Sequence, residues 1–258
     1  MTHTSFSSGQ SLIHRTDPRL RLVLCLGLAI VMAGLNTLIG ASFALLFSAC
    51  LACSAGLPLR GVSQRLLLVN GFIAFLWIML PFSASGETVF QMGPFQATRE
   101  GIELAGLITL KSNSIILCIM ALVATIPMAD MGQTLASLRV PDKFTVMFIL
   151  CYRYLHLIRE EYRRLAAAAR IRCFRPGTNR HTYRTYGYLL GMLLVGSYER
   201  GRRVHQAMRL RAFQGRFYSL RRFVIRGRDL GVALGIAIPA MALILIEIYA
   251  RGPAALMG

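Results

Sequence analysis

Apolar residues in this chain gather into long runs instead of the alternating or one-face patterns of a soluble fold. The runs cover residues 22–35, 38–56, 66–82, 102–126 and 230–248. They reach or approach the ~20 residues needed to cross a hydrocarbon core of ~30 Å. Only a tight turn at Asn36 separates the first two, and a Gly/Ser/Pro-containing loop with Glu87, Arg99 and Glu100 follows the third. One more apolar stretch, residues 145–158, is 14 residues long and is interrupted by Arg153. At that length it reaches about 21 Å, too short for a crossing.

Between the fourth and last runs the pattern turns helical. Met131, Leu135 and Leu138, spaced by four and three, predict a short helix ending at Pro141. A long helix is predicted over residues 144–174, stopped by Arg175-Pro176-Gly177, and another over 182–213, stopped by Gln214-Gly215. Each would measure about 45–48 Å. Their N-terminal halves are apolar and their C-terminal halves basic, so both are expected to be anchored at a membrane and to reach away from it. The expected fold is an all-α integral membrane protein with about five transmembrane helices and a cytoplasmic or interfacial unit of three helices, two of them long. Spans one to four occupy residues 1–126, the helical unit 127–228, and the last span with the C-terminus 229–258.

Composition supports the membrane assignment: 55% of residues are hydrophobic and 16% charged, against about a quarter charged in soluble domains. Charge then sets sidedness. Of the net +18, most lies between Cys151 and Arg228, which hold 19 Arg, no Lys and three acids, Glu160, Glu161 and Glu199. With Arg15, Arg19 and Arg21 before the first run and Arg60 and Arg65 after the second, the positive-inside rule makes these segments cytoplasmic. Four crossings return the chain to the cytoplasm before the Arg block, and the fifth leaves the C-terminus outside. The same block could mark a nucleic-acid surface, but spans on both sides and apolar stripes within it argue against nucleic acid.

Inside that block a pattern recurs after 39 residues. Residues 163–174 align with 202–213, with six of twelve positions identical. On a helix, Leu165, Ala168, Ala169 and Arg172 share one face, as do Val204, Ala207, Met208 and Arg211. Each face is an apolar stripe ending in a guanidinium, whose five donors suit carbonyls or carboxylates in a groove. Arg163, Arg170, Arg202 and Arg209 point elsewhere, towards lipid headgroups or acidic rims. Two like contacts suggest a partner that comes as a pair; two amphipathic helices lying on anionic lipid are the simpler alternative.

At these residues the sequence resembles the transmembrane T component of energy-coupling factor (ECF) transporters, in the CbiQ-like cobalt and nickel subfamily. The segment Leu12-Ile13-His14-Arg15-Thr16-Asp17-Pro18-Arg19 is similar to the family's N-terminal Asp-Pro-Arg region. The stretch from Ser197-Tyr198-Glu199-Arg200 through Arg203-Val204 and Ala207-Met208 resembles its third coupling helix. The family's two Ala-Arg-Gly-type motifs correspond to Ile171-Arg172-Cys173 and Leu210-Arg211-Ala212, with the arginines matched and the flanking Ala and Gly replaced. The resemblance implies a non-catalytic subunit of an importer in a bacterial cytoplasmic membrane, for cobalt or nickel ions. Its implied partners are two ABC ATPase subunits, a substrate-binding S-type membrane subunit and a small accessory membrane subunit. It implies no cofactor on this chain, with ATP and Mg bound by the ATPases.

Other features carry less. Cys50 and Cys53 form a C-x-x-C in Leu/Ala/Ser-rich sequence and read as helix packing, since no second Cys/His pair lies near. No cleavable signal peptide is read before the first run. Lys111, inside the fourth run beside Ser112, Asn113 and Ser114, is a functional candidate by its depth, with a role in subunit contact, and could instead face the coupling helices or bind a carbonyl. Glu247 near the outer end of the last run reads as a snorkelling structural residue. His3, His14, His156, His181 and His205 are scattered, without a pair at i, i+4 or an acid at ligand spacing, although His3 could hold a metal ion weakly. There is no G-x-x-x-x-G-K-[ST], G-x-S-x-G or H-E-x-x-H. The other function class left open is a membrane enzyme or anchor that uses the Arg cluster to bind lipid phosphate.

Overall fold

A computed structural model of the chain describes residues 16–83, 88–92, 95–215, 217 and 227–251. These residues form α1 (Pro18–Gly34), α2 (Leu38–Ser54), α3 (Leu59–Ser83), β1 (Thr88–Met92), β2 (Phe95–Thr98), α4 (Arg99–Leu122), α5 (Met128–Ser137), α6 (Asp142–Ile171), α7 (Arg180–Leu210) and α8 (Gly227–Arg251). The chain divides into two compact units, residues 1–130 with 222–258, and residues 131–221. Helix dominates as expected, with one correction. The loop after the third apolar run contains a short antiparallel hairpin, pairing Thr88 with Thr98 and Met92 with Phe95. The β-prone run Thr-Val-Phe-Gln-Met accounts for it. His3, His14, Arg15, Glu87 and Arg226 lie outside the described residues.

Among the described residues of the first unit, three helices are long and apolar enough to cross a membrane, at Leu59–Leu80, Arg99–Leu122 and Asp229–Tyr249. The paired helices α1 and α2 have 17 residues each, about 25 Å, short of a full hydrocarbon core. Asp17 starts α1 by accepting the Arg19 N–H at 3.0 Å, with Pro18 at the first helical position. Thr37 caps α2 in the same way through the Gly40 N–H at 3.3 Å. On α2 the buried residues are small: Gly40, Ala41, Ala44, Ser48 and Ala52. A small-residue face of this kind lets neighbouring helices approach closely without a solvent-driven hydrophobic effect. The core is built there with Leu28 and Met32 of α1, Leu117, Cys118 and Ala121 of α4, and Ile236 and Leu243 of α8.

Polar ties fix these helices to one another. Arg21 is 2% exposed, and its guanidinium donates to the Leu122 carbonyl at 3.2 Å and to the Thr125 hydroxyl. It therefore satisfies a carbonyl of the last turn of α4. Lys111 donates to the Ala33 carbonyl at 3.1 Å and to the Asn36 side chain at 3.4 Å, so the α1–α2 turn meets α4 midway along its length. Glu247 corrects the snorkelling expectation. It is 7% exposed and accepts from the Asn36 N–H at 2.9 Å and the Thr37 hydroxyl at 2.8 Å. A carboxylate of α8 thus holds the turn that opens α2, where backbone donors at a helix N-terminus favour negative charge. Asn70 of α3 accepts from Asn113 of α4 at 3.0 Å, and Trp77 donates to Thr109 at 2.9 Å. Cys50 and Cys53 are both exposed on α2.

The second unit holds α5, α6 and α7. Gly132 of α5 lies so close to the Ile149 side chain of α6 that a Cβ there would overlap it. Pro141 ends the preceding segment, and its carbonyl accepts the Phe144 N–H at 3.0 Å as α6 begins. The helices α6 and α7 contain 30 and 31 residues, close to the expected extents. Residues 172–179 join them, and Phe174 packs on His181 and Tyr186 with ring centroids 6.1 and 5.7 Å apart. The end of α6 therefore rests on the first turns of α7. So short a link makes the second arm start where the first one ends.

Candidate functional site

The two copies of the repeat end in the same backbone structure. At the end of α6 the Cys173 N–H donates to Arg170 O at 3.0 Å and the Phe174 N–H to Ala169 O at 3.1 Å. At the end of α7 the Ala212 N–H donates to Arg209 O and the Phe213 N–H to Met208 O, both at 3.0 Å. This is the Schellman pattern, which pairs carbonyls that the helix end would leave without partners. Arg172 and Arg211 occupy the cap position, with φ, ψ of −82°, 24° and −92°, 19°. The next residue turns left-handed in both copies, Cys173 at φ 60° and Ala212 at φ 54°. Glycine adopts that region without penalty, whereas a side chain there costs roughly 1–2 kcal/mol. The departures from glycine at the third motif position are therefore conformational in their effect.

Exposure repeats as faithfully as geometry. Leu165, Ala169, Val204 and Met208 are half-buried, while Ala168, Ala207, Arg172, Arg211, Cys173 and Ala212 are exposed. Ile171 is 83% exposed and Leu210 89%. Among the described residues, neither Arg172 nor Arg211 has a carboxylate within ion-pair distance. Each helix end thus presents a bare apolar side chain, a bare guanidinium and a tight turn, a combination suited to an apolar socket with acceptors at its base. Because α6 ends over the start of α7, the two ends stand about 40 Å apart along α7. The sequence reading marked both motifs and both stripes but missed the left-handed turns and the part played by Phe174 and Phe213. The signal for the latter was present, since Phe closes both copies of the repeat.

Among the described residues no three His, Cys, Asp or Glu side chains gather where a metal ion could be held. His156 does have an acidic neighbour, Glu160, one turn on at 3.7 Å, a pair that the sequence reading overlooked. Lys111, marked by its depth, is engaged with the α1–α2 turn, as a carbonyl-binding lysine would be.

Comparison with known proteins agrees with this geometry. The profile of the family described as CbiQ, cobalt transport protein, matches residues 9–220. The chain is 26% identical over 257 residues to the energy-coupling factor transporter transmembrane protein EcfT of Exiguobacterium sibiricum, covering 95% of this chain and 96% of that protein. It is 28% identical over 120 residues to an uncharacterized protein of Methanocaldococcus jannaschii, 46% of this chain and 44% of that protein's length. A putative fused cobalt transport protein CbiMQ of Methanocorpusculum labreanum is 26% identical over 143 residues, 54% of this chain and 24% of the fused protein.

Proposed function

Since the chain belongs to the CbiQ cobalt transport protein family, we propose that it is the transmembrane coupling (T) subunit of an ECF-type ABC importer for cobalt or nickel ions. In this reading Ile171-Arg172-Cys173 and Leu210-Arg211-Ala212 each dock in a groove of one of two ABC ATPase subunits. The ATPases bind ATP and Mg and do the hydrolysis; this chain is not catalytic. Closing of the ATPase pair moves α6 and α7, and that motion tilts a substrate-binding membrane subunit. The name of the fused CbiMQ relative supports a partner of that kind.

The observation that carries the reading is the equivalence of the two helix ends in sequence, hydrogen bonding and exposure. One chain with two like plugs fits a partner with two like sockets. The membrane part belongs to residues 1–126 and 229–258, the coupling unit to 127–228, with the N-terminus and coupling helices cytoplasmic and the C-terminus outside. The short α1–α2 pair does not disturb this sidedness, because a hairpin returns to its starting side whether or not it crosses completely.

The test is co-purification. The double substitution Arg172→Glu and Arg211→Glu puts two carboxylates where the grooves require cations and should release the ATPases from the detergent-solubilised complex. Intact co-purification of the double variant contradicts the proposal. A passive lipid anchor would instead lose membrane binding in proportion to charge removed, with nothing special at these two positions.

A further inference from the structure

The repeat has a second face that the coupling stripe does not use. A hollow of about 260 Å³ lies beside α6, lined by Tyr162, Arg163, Arg170, Phe174, Tyr186 and Leu189 with alanines as its floor. A second hollow of about 440 Å³ lies along α7. Five lining positions of the first, 162, 163, 166, 167 and 170, become five lining positions of the second, 201, 202, 205, 206 and 209, when 39 is added. Both hollows therefore belong to one duplicated face, marked by two arginines seven residues apart. They differ in their walls. In the first, Phe174, Tyr186 and Leu189 of the α6–α7 corner close one side, and Leu189 is buried there. The second is lined by α7 alone.

We propose that the walled hollow between α6 and α7 binds the phosphate-bearing headgroup of an anionic phospholipid. Arg163 and Arg170 stand about 10.5 Å apart along the helix axis, and their long side chains can converge on one phosphate between them. Among the described residues neither has an ion-pair partner, whereas Arg164, Arg200 and Arg203 of the same unit do. The Tyr162 and Tyr186 hydroxyls add neutral donors of the kind found at membrane interfaces. Phe174 and Leu189 supply an apolar wall for the first carbons of an acyl chain, which a free anion would not use. Charge complementarity favours the same occupant, since 19 Arg stand against three acids between Cys151 and Arg228. The assignment does not rest on the coupling reading.

The experiment is native mass spectrometry of the full-length chain released from micelles containing phosphatidylglycerol or phosphatidylcholine. The wild-type chain should retain phosphatidylglycerol about tenfold better than phosphatidylcholine. Arg163→Gln with Arg170→Gln should bring the two lipids level, while Arg202→Gln with Arg209→Gln, in the open hollow, should leave the preference intact. Tyr186→Phe is the milder variant should the double variant lose helix content by circular dichroism, and it should weaken retention several-fold. Undiminished preference in the Arg163/Arg170 double variant, or undiminished phosphatidylglycerol retention in Tyr186→Phe, overturns the proposal. So does equal loss in both Arg pairs, which would mean diffuse charge attraction. Displacement of the lipid by millimolar inorganic phosphate would assign the hollow to a soluble anion and overturn the lipid occupant.

Discussion

Helices α4 and α6 are of comparable length, yet they live by different means. Eight of the 24 residues of α4 are buried within the chain, against one of 30 in α6 and two of 31 in α7. Around α4, arginine, lysine, asparagine and threonine side chains find partners on other helices, and small residues on α2 bring backbones together. On α6 and α7 the ion pairs are local or long, and large apolar side chains face outward. The first unit also turns large apolar side chains outward, but among the described residues it has an internal core that the second unit lacks. A helix of 30 residues with almost no tertiary burial has little beyond its own propensity to hold it, so its apolar faces are built for bilayer or for partner chains.

This contrast predicts where substitution hurts the isolated chain. Arg21→Ala should have the largest effect: it leaves the Leu122 carbonyl and the Thr125 hydroxyl without their donor in a buried place and should cost about 2–3 kcal/mol. The same change at exposed Arg209 should stay within about 0.5 kcal/mol. Thermal unfolding in detergent compares the two, and equal losses would erase the distinction between the units. Glu247→Ala comes next, at about 1.5–2 kcal/mol, because a charged acceptor for Asn36 and Thr37 disappears. In the opposite direction, Cys173→Gly and Ala212→Gly should each relieve a left-handed backbone and stabilise the helix end by about 1 kcal/mol. Slower hydrogen exchange at the Phe174 and Phe213 amides, the donors that close these turns, would register it. Smallest is Glu161→Gln, whose contacts to Arg164 and Arg200 are 3.9 and 4.0 Å and largely solvated, worth less than about 0.5 kcal/mol.

The same contrast explains what could be read from the chain alone. Apolar run length located α3, α4 and α8, and periodicity with stop residues located α5, α6 and α7 to within a few residues at most ends. Some helices begin earlier than the apolar runs, by one turn at Pro18 and by about two at Leu59, because a cap and opening turns need not be apolar. The repeat exposed both coupling ends, since a local pattern becomes a local structure. Glu247 was rightly read as structural, but its burial was not foreseen because its partners are 210 and 211 residues away, beyond any local signal. The fold-back of α7 on the end of α6 was missed for a related reason. Charge told which halves were polar, but not that the Phe174 ring would seat on Tyr186.

The central claim is that Arg172 and Arg211 serve two equivalent and separate sockets. Counting ATPase subunits on the purified complex by native mass spectrometry tests it most directly. Two should bind the wild-type chain, one should bind either Arg172→Glu or Arg211→Glu, and none should bind the double variant. Retention of both subunits in the double variant, or loss of both only when charge is removed elsewhere on α6 and α7, would contradict the account.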